Sequence, residues 1–224
     1  MSDQAAPSPD VALVFTGGDP VPHEVLVHLP DSKLVIAADS GLDVAHALGC
    51  VVDLVVGDLD SVDPTTLAEA ETRGASVERH PAEKDATDLE LALGAALARG
   101  AQRVTVVGGH GGRLDHFLAN ALLLASEAFA ALTIDAWIGR AHVTVVRTRS
   151  ELNGAPGSLC TLLAVGGVAR GITTEGLRYP LVNEDLEPGS SRGVSNLLVG
   201  SAASVELQAG VLLAVQPDAL EKPT

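Results

Sequence analysis

In the first part of the chain, hydrophobic positions come in short β-branched runs separated by Ala/Leu-rich stretches of helical length. Val11–Thr16, Lys33–Ala38, Val52–Val56 and Arg103–Val107 are such runs, bounded by Gly or Asp, and they predict strands. Pro64–Arg73, Asp88–Arg99 and Asp115–Ala130 predict helices, with Gly74 and Gly100 placed as C-terminal stops. Nearly continuous apolar strands alternating with helices need cover on both faces, which predicts an α/β class with a Rossmann-like parallel sheet.

Past about Arg140 the rhythm changes. Ser158–Val165, Val168–Thr174, Ala203–Leu207 and Val211–Val215 are short runs separated by Gly, Pro and Asn, with no convincing helix among them. They predict a smaller all-β domain, a sandwich or a barrel. The change falls within Gly139–Ser150. The expected organisation is a flexible tail at residues 1–10, an α/β domain at 11–143 and a β domain at 144–224.

Aromatic residues make up only 2% of the chain, so Val, Leu and Ala must build the core and Trp137 is read as one of its few rings. The formal net charge of −15, with no Lys/Arg cluster, argues against a nucleic-acid partner. Cys50 and Cys160 fall in different predicted regions and read as small buried hydrophobes in a reducing compartment. Residues 1–10 lack the basic start and apolar stretch of a signal peptide, and no apolar run is long enough to span a bilayer. A cytoplasmic protein without membrane contact is expected.

Three loops carry the candidate chemistry. The first, Gly57-Asp58-Leu59-Asp60-Ser61, places two carboxylates where a buried strand ends, the ligand-binding edge of an open α/β sheet. On an extended segment the side chains at i and i+2 point to one side, so Asp58 and Asp60 are suited to share a hard cation. Asp63-Pro64 reads as an N-cap followed by Pro at N1. In the second loop, Thr87 and Glu90 fit a capping box, and Asp88 suits the dipole of the helix it opens. Lys84 just before that helix suits a phosphate instead, and Lys84 and Asp88 are expected to face a nucleotide and its metal.

The third loop, Gly108-Gly109-His110-Gly111-Gly112-Arg113-Leu114-Asp115-His116, has four glycines in five residues. Its backbone N–H groups can wrap an anion, and Arg113 can bind phosphate oxygens bidentately. It is neither a Walker A loop nor a G-x-G-x-x-G turn. Asp115 is suited to a simple N-cap, and His110 and His116 are given no role. Carboxylates near ATP would cost about 4 kcal/mol per contact at 4 Å under an effective dielectric of ~20, a sign that an intervening Mg²⁺ reverses.

These motifs, with Ala38-Asp39-Ser40-Gly41, Leu118-Ala119-Asn120, Thr174-Glu175-Gly176-Leu177-Arg178-Tyr179-Pro180-Leu181 and Gly193-Val194-Ser195-Asn196, resemble the thiamine pyrophosphokinase family. The resemblance covers nearly all of the chain except its first ten residues and its tail. It implies an ATP-binding α/β domain, a β domain, and a homodimer with thiamine near the subunit interface. It further implies that Asp58, Asp60 and Asp88 hold Mg²⁺ with Asp39 nearby, and that Lys84 and Arg113 serve the phosphates, with Thr87, Gly112 and Asp115 lining the ATP site. Tyr179, Ser195 and Asn196 would serve thiamine. Relatives carry Trp at the position of Tyr179, and Ser195-Asn196 equally fits a hairpin turn.

The implied reaction is an in-line attack of the thiamine hydroxyl on the β-phosphorus of ATP, with AMP leaving and catalysis by positioning and charge neutralisation. The rival readings are a diphosphokinase acting on a pterin alcohol and a non-catalytic nucleotide- or thiamine-binding regulator.

Overall fold

The computed structural model describes residues 10–83 and 85–220. Lys84 and nearly all of the expected N-terminal tail lie outside them. The chain divides into two compact units. One comprises the residues up to Gly112 together with Ala131–Thr133, and the other Arg113–Ala130 with the residues from Ile134 onward. The second unit therefore takes the segment from Arg113 with it, well before the change of rhythm at 139–150.

The first unit is an α/β layer. Its strands β1 (Val11–Thr16), β2 (Leu34–Ala38), β3 (Leu54–Gly57), β4 (Ser76–Arg79) and β5 (Arg103–Gly108) are all parallel, in the order β5-β1-β2-β3-β4. Ala12, Val14, Phe15, Ile36, Ala37 and Val55 have no exposed surface, as continuous apolar runs between helical layers require. β4 was not visible in the apolar pattern because it is an edge strand of sequence Ser-Val-Glu-Arg, mostly exposed, and charge on an edge discourages further pairing. The helices of this unit are α1 (Gly41–Ala47), α2 (Pro64–Thr72) and α3 (Asp88–Ala98).

Local signals set the ends of these helices. The Asp63 carboxylate accepts from the N–H groups of Thr65 and Thr66 at 2.9 and 3.0 Å, with Pro64 at the first position. The Thr87 hydroxyl accepts from the Glu90 N–H at 3.2 Å. α1, which has no apolar periodicity long enough to predict, is held by contact. A Cβ on Gly41 would run into the Phe15 carbonyl, so α1 packs directly on the β1 backbone.

The second unit opens with α4 (Leu114–Leu124). The predicted helix runs to Ala130, but the observed one stops at Leu124 and a 3-10 turn over Glu127–Phe129 follows. The Ser126 side chain accepts from the Ala128 N–H, and the Arg147 guanidinium donates to the carbonyls of Ala125 and Ser126 at 3.0 and 2.7 Å. These polar groups end the helix where no glycine signals a stop.

The remainder is a two-sheet sandwich. One sheet has the order β12 (Asn196–Leu197), β9 (Leu159–Ala164), β14 (Leu212–Gln216), β7 (Ala141–Val146), β6 (Thr133–Ile138). The other runs β11 (Glu184–Leu186), β10 (Ala169–Glu175), β13 (Ala202–Glu206), β8 (Arg149–Asn153). Buried and exposed residues alternate along β10, and Val146, Leu162 and Leu212 of one sheet share a core with Leu152, Ile172 and Val205 of the other. Both cysteines are free. Cys160 lies in this core, where burial pushes its thiol up to about 12 and leaves it inert. Trp137 is buried and stacks on His142, with ring centroids 4.4 Å apart.

The Gly41 contact gives the first prediction. Gly41→Ala should destabilise the protein by about 1–3 kcal/mol, because the added methyl must push α1 off β1. Urea unfolding followed by circular dichroism checks it.

Candidate functional site

The strand order places a topological switch point between β1 and β5, and the loops that follow the parallel strands meet at their carboxyl ends, where such sheets bind ligands. Asp39 follows β2, the Asp58–Asp60 loop follows β3, and the glycine-rich loop follows β5.

Asp39 is the most constrained of these groups. It sits in the left-handed region at φ +48°, its N–H donates to the Val56 carbonyl at 2.9 Å, and only 9% of its surface is exposed. Its Oδ1 is buried without a hydrogen-bond partner. Asp39, Asp58 and Asp60 each offer a carboxylate oxygen within 4.8 Å of the others. Gly57 forms the floor beneath them. A Cβ there, at φ +149°, would stand 3.0 Å from Asp88 Oδ1 and 3.2 Å from the Asp39 Cβ, so a side chain would crowd the space between the two carboxylates.

Asp58 and Asp60 converge, but not by the extended geometry the sequence suggested. Leu59 is left-handed at φ +63°, and the Asp60 N–H donates to Asp58 Oδ1 at 3.3 Å, so a tight turn folds the loop. The Ser61 hydroxyl holds Asp60 Oδ1 at 2.8 Å. Asp43, on α1, anchors the far side by accepting from the Asp63 N–H at 3.3 Å.

The charges are mutually unfavourable. Burial, offset in part by the Ser40 backbone N–H, pushes the Asp39 carboxyl above the usual carboxylate range, and the charges of Asp88, Asp58 and Asp60 push it further. A carboxylate cluster that includes a buried, unsatisfied oxygen fits a hard divalent cation, which takes oxygen ligands and would offset both the desolvation and the repulsion.

Asp88 joins the acidic cluster, and Thr87 spends its hydroxyl on the cap of α3. Gly112 is left-handed at φ +62° with open space where a Cβ would stand. Arg113 occupies the N-cap position of α4, so Asp115 is not the N-cap but lies in the first turn. The two form a bidentate pair, Nε to Oδ1 at 3.2 Å and Nη2 to Oδ2 at 2.5 Å. The guanidinium holds the Asp115 carboxyl down to about 2. Both side chains are about two-thirds exposed, and a surface pair of this kind is weak enough for a phosphate to displace.

In the second unit, Asn196 is buried and both ends of its amide are engaged. Oδ1 accepts from the N–H groups of Tyr179 and Leu197 at 3.0 and 2.9 Å, and Nδ2 donates to the Tyr179 carbonyl at 2.7 Å. Asn196 thus clamps the backbone of Tyr179, a residue that is 53% exposed and has the Arg178 guanidinium 5.9 Å from its ring centroid. Ser195 is exposed and left-handed at φ +57°, its N–H donating to Thr161 Oγ1 at 3.1 Å. The pair is not a hairpin turn: Ser195 turns the chain into β12, which pairs with β9.

Similarity to known proteins agrees with this arrangement. The thiamin pyrophosphokinase catalytic domain matches residues 27–135, and the vitamin B1 binding domain of the same enzymes matches 144–212. The thiamine pyrophosphokinase of Bacillus subtilis (strain 168) is 26% identical over 196 residues, spanning 83% of this chain and 88% of the relative. A thiamine pyrophosphokinase 2 of Arabidopsis thaliana is 26% identical over 172 residues, spanning 71% of this chain and 63% of the relative. The crystal structure of the Bacillus subtilis enzyme superposes with a TM-score of 0.79 at 24% identity, over 92% of this chain and 98% of that one. A thiamin pyrophosphokinase family protein from Enterococcus faecalis gives 0.75 at 25% identity, over 96% and 99%.

The chain is a transferase that uses ATP. It belongs to the thiamin pyrophosphokinase family, whose members make thiamine diphosphate and generally need a divalent metal.

The crowding around Asp39 has a measurable consequence. Asp39→Asn keeps the shape and removes the most buried charge, so it should raise the thermal midpoint of the metal-free protein. The same change should shrink the further rise that MgCl₂ gives the parent chain. Thermal melts of both proteins with and without MgCl₂ check the pair of signs.

Proposed function

We propose that this chain transfers the β- and γ-phosphoryl groups of ATP to thiamine with Mg²⁺ held by Asp58, Asp60 and Asp88, and with Asp39 closing the same cluster. The observation that carries the reading is the buried Asp39 carboxylate, whose Oδ1 is unsatisfied and whose charge is opposed by those of Asp88, Asp58 and Asp60. When bound, the ion would neutralise phosphate charge and let an acidic site accept ATP. The glycine-rich loop, Gly112 included, offers backbone N–H groups to the phosphates, and Arg113 exchanges Asp115 for phosphate oxygens. Thr87 sets the start of α3 and thereby holds Asp88 in place, while Asp115 keeps the guanidinium of Arg113 oriented until the nucleotide arrives. Lys84 belongs by sequence to the same loop.

In the reaction, the thiamine hydroxyl oxygen forms a bond to the β-phosphorus and the bond from that phosphorus to the bridging oxygen of the α-phosphate breaks. AMP leaves with the bridging oxygen, and the hydroxyl proton passes to solvent. Positioning and charge neutralisation supply most of the acceleration, so no strong base is required. Tyr179, presented by Asn196, offers an exposed aromatic face suited to a cationic thiazolium, and Ser195 lies beside it in sequence as a polar contact.

A homodimer fits the reading. The exposed side chains of Leu114, Leu118 and Leu122 line one face of α4 at helical spacing, and a second copy would cover them. A cytoplasmic setting fits two free thiols. Among the described residues, no helix is long and apolar enough to cross a membrane.

Incubation with ATP, MgCl₂ and thiamine, followed by chromatography, should yield AMP and thiamine diphosphate in equal amounts. ADP with thiamine monophosphate would overturn the diphosphoryl transfer. Asp60→Asn should lower turnover at least about 100-fold while the fold persists, the equivalent of several kcal/mol of lost charge stabilisation. Full activity in that variant would remove the metal assignment.

A further inference from the structure

The loops on either side of the β1/β5 switch point are interlocked. The Gly109 N–H donates to the Gly17 carbonyl at 3.0 Å, and the Asp19 N–H donates to the His110 carbonyl at 2.5 Å. A Cβ on Gly18 would fall on the His110 carbonyl, and a Cβ on Gly111 would fall on the carboxyl group of Asp19. Asp19 Oδ2 also lies 3.6 Å from His110 Nδ1.

Gly111 and Gly112 are therefore glycines for different reasons. Both are at positive φ, +99° and +62°, but Gly112 faces open space whereas Gly111 is covered by Asp19. A carboxylate next to an anion-binding loop is electrostatically unfavourable to phosphate, by the same Coulomb argument that applies to the acidic cluster. An exposed Asp in that place, with its backbone and its side chain both engaged by the loop, serves the loop's shape.

We infer that Asp19 is a positioning residue for the nucleotide: it fixes the curvature of the glycine-rich loop from the β1 side, acting through Gly111 and His110. The inference rests on the reading of that loop as the seat of the ATP phosphates. Emptying the space over Gly111 lets the loop relax away from the conformation that aims its N–H groups, so the loss falls on ATP. Filling the space with an uncharged group of the same size keeps the loop in place.

The test is steady-state kinetics of the full chain with each substrate varied in turn. Asp19→Ala and Asp19→Ser should each raise the KM for ATP about tenfold, in the range of coupling between neighbouring groups, while kcat and the KM for thiamine stay within about twofold. Asp19→Asn should restore the ATP KM to within about twofold of the parent. An unchanged ATP KM in both the Ala and the Ser variants would overturn the inference, as would an equal loss in all three parameters, the mark of a general structural lesion. Gly111→Ala separates the two levels of the argument. If it raises the ATP KM while the Asp19 variants do not, the loop binds ATP and Asp19 does not position it. If neither change affects ATP, the reading of the loop itself fails.

Discussion

Three carboxylates at the ends of two adjacent parallel strands and a fourth at the start of α3 crowd together, and much of the first unit is arranged to tolerate that. Asp39 is pressed into the end of β2 with one oxygen unsatisfied, Gly57 gives up its side chain so that Asp39 and Asp88 can approach, and Leu59 takes a left-handed turn that folds Asp58 toward Asp60. Each of these costs stability when no cation is bound. Their coincidence fits the proposed loaded state, in which a divalent ion would turn repulsion into ligation. The energy spent at this point is recovered in the sheet behind it, where Val55, Ile36 and Phe15 are wholly buried.

The second unit solves a different problem. Few aromatic rings are available in the chain, and Tyr179 is one that stays half-exposed while its backbone is held from the inside. Asn196 commits both ends of its amide to the Tyr179 backbone, and a buried side-chain amide held at both ends favours a single arrangement. Ser195, one residue earlier, is left-handed and exposed, and its backbone N–H is tied to the neighbouring strand through Thr161.

What the sequence made legible follows from how local each signal is. Parallel strands β1, β2, β3 and β5 were readable because burial on both faces demands unbroken apolar runs, and the starts of α2 and α3 because Asp63 and Thr87 act on their own next three residues. β4 was hidden because an edge strand carries no such demand, and α1 because its packing rests on one glycine against the Phe15 backbone. The end of α4 depends on Arg147, a residue distant in sequence, so no nearby residue announces it. At the site, residue types pointed to Asp58, Asp60 and Asp88, whereas Asp39 had only family resemblance to recommend it. Its depth depends on the neighbouring strand, through the bond from its N–H to Val56. The pairing of Arg113 with Asp115 and the clamp of Asn196 on Tyr179 were likewise matters of geometry.

The glycine-rich loop shows why composition understates such a site. Four glycines in five residues look alike on paper, yet Gly108 yields to the Thr16 carbonyl, Gly111 yields to Asp19, and Gly112 yields to nothing but its own φ. Two of them are thus imposed by the loop and strand on the β1 side, so β1 and β5 jointly determine the shape of the surface at the switch point. A loop held this way is less free to adapt than a run of glycines suggests. Such a hold suits the phosphate seat proposed for this loop, because backbone N–H groups bind phosphate well only when their directions are set before the phosphate arrives.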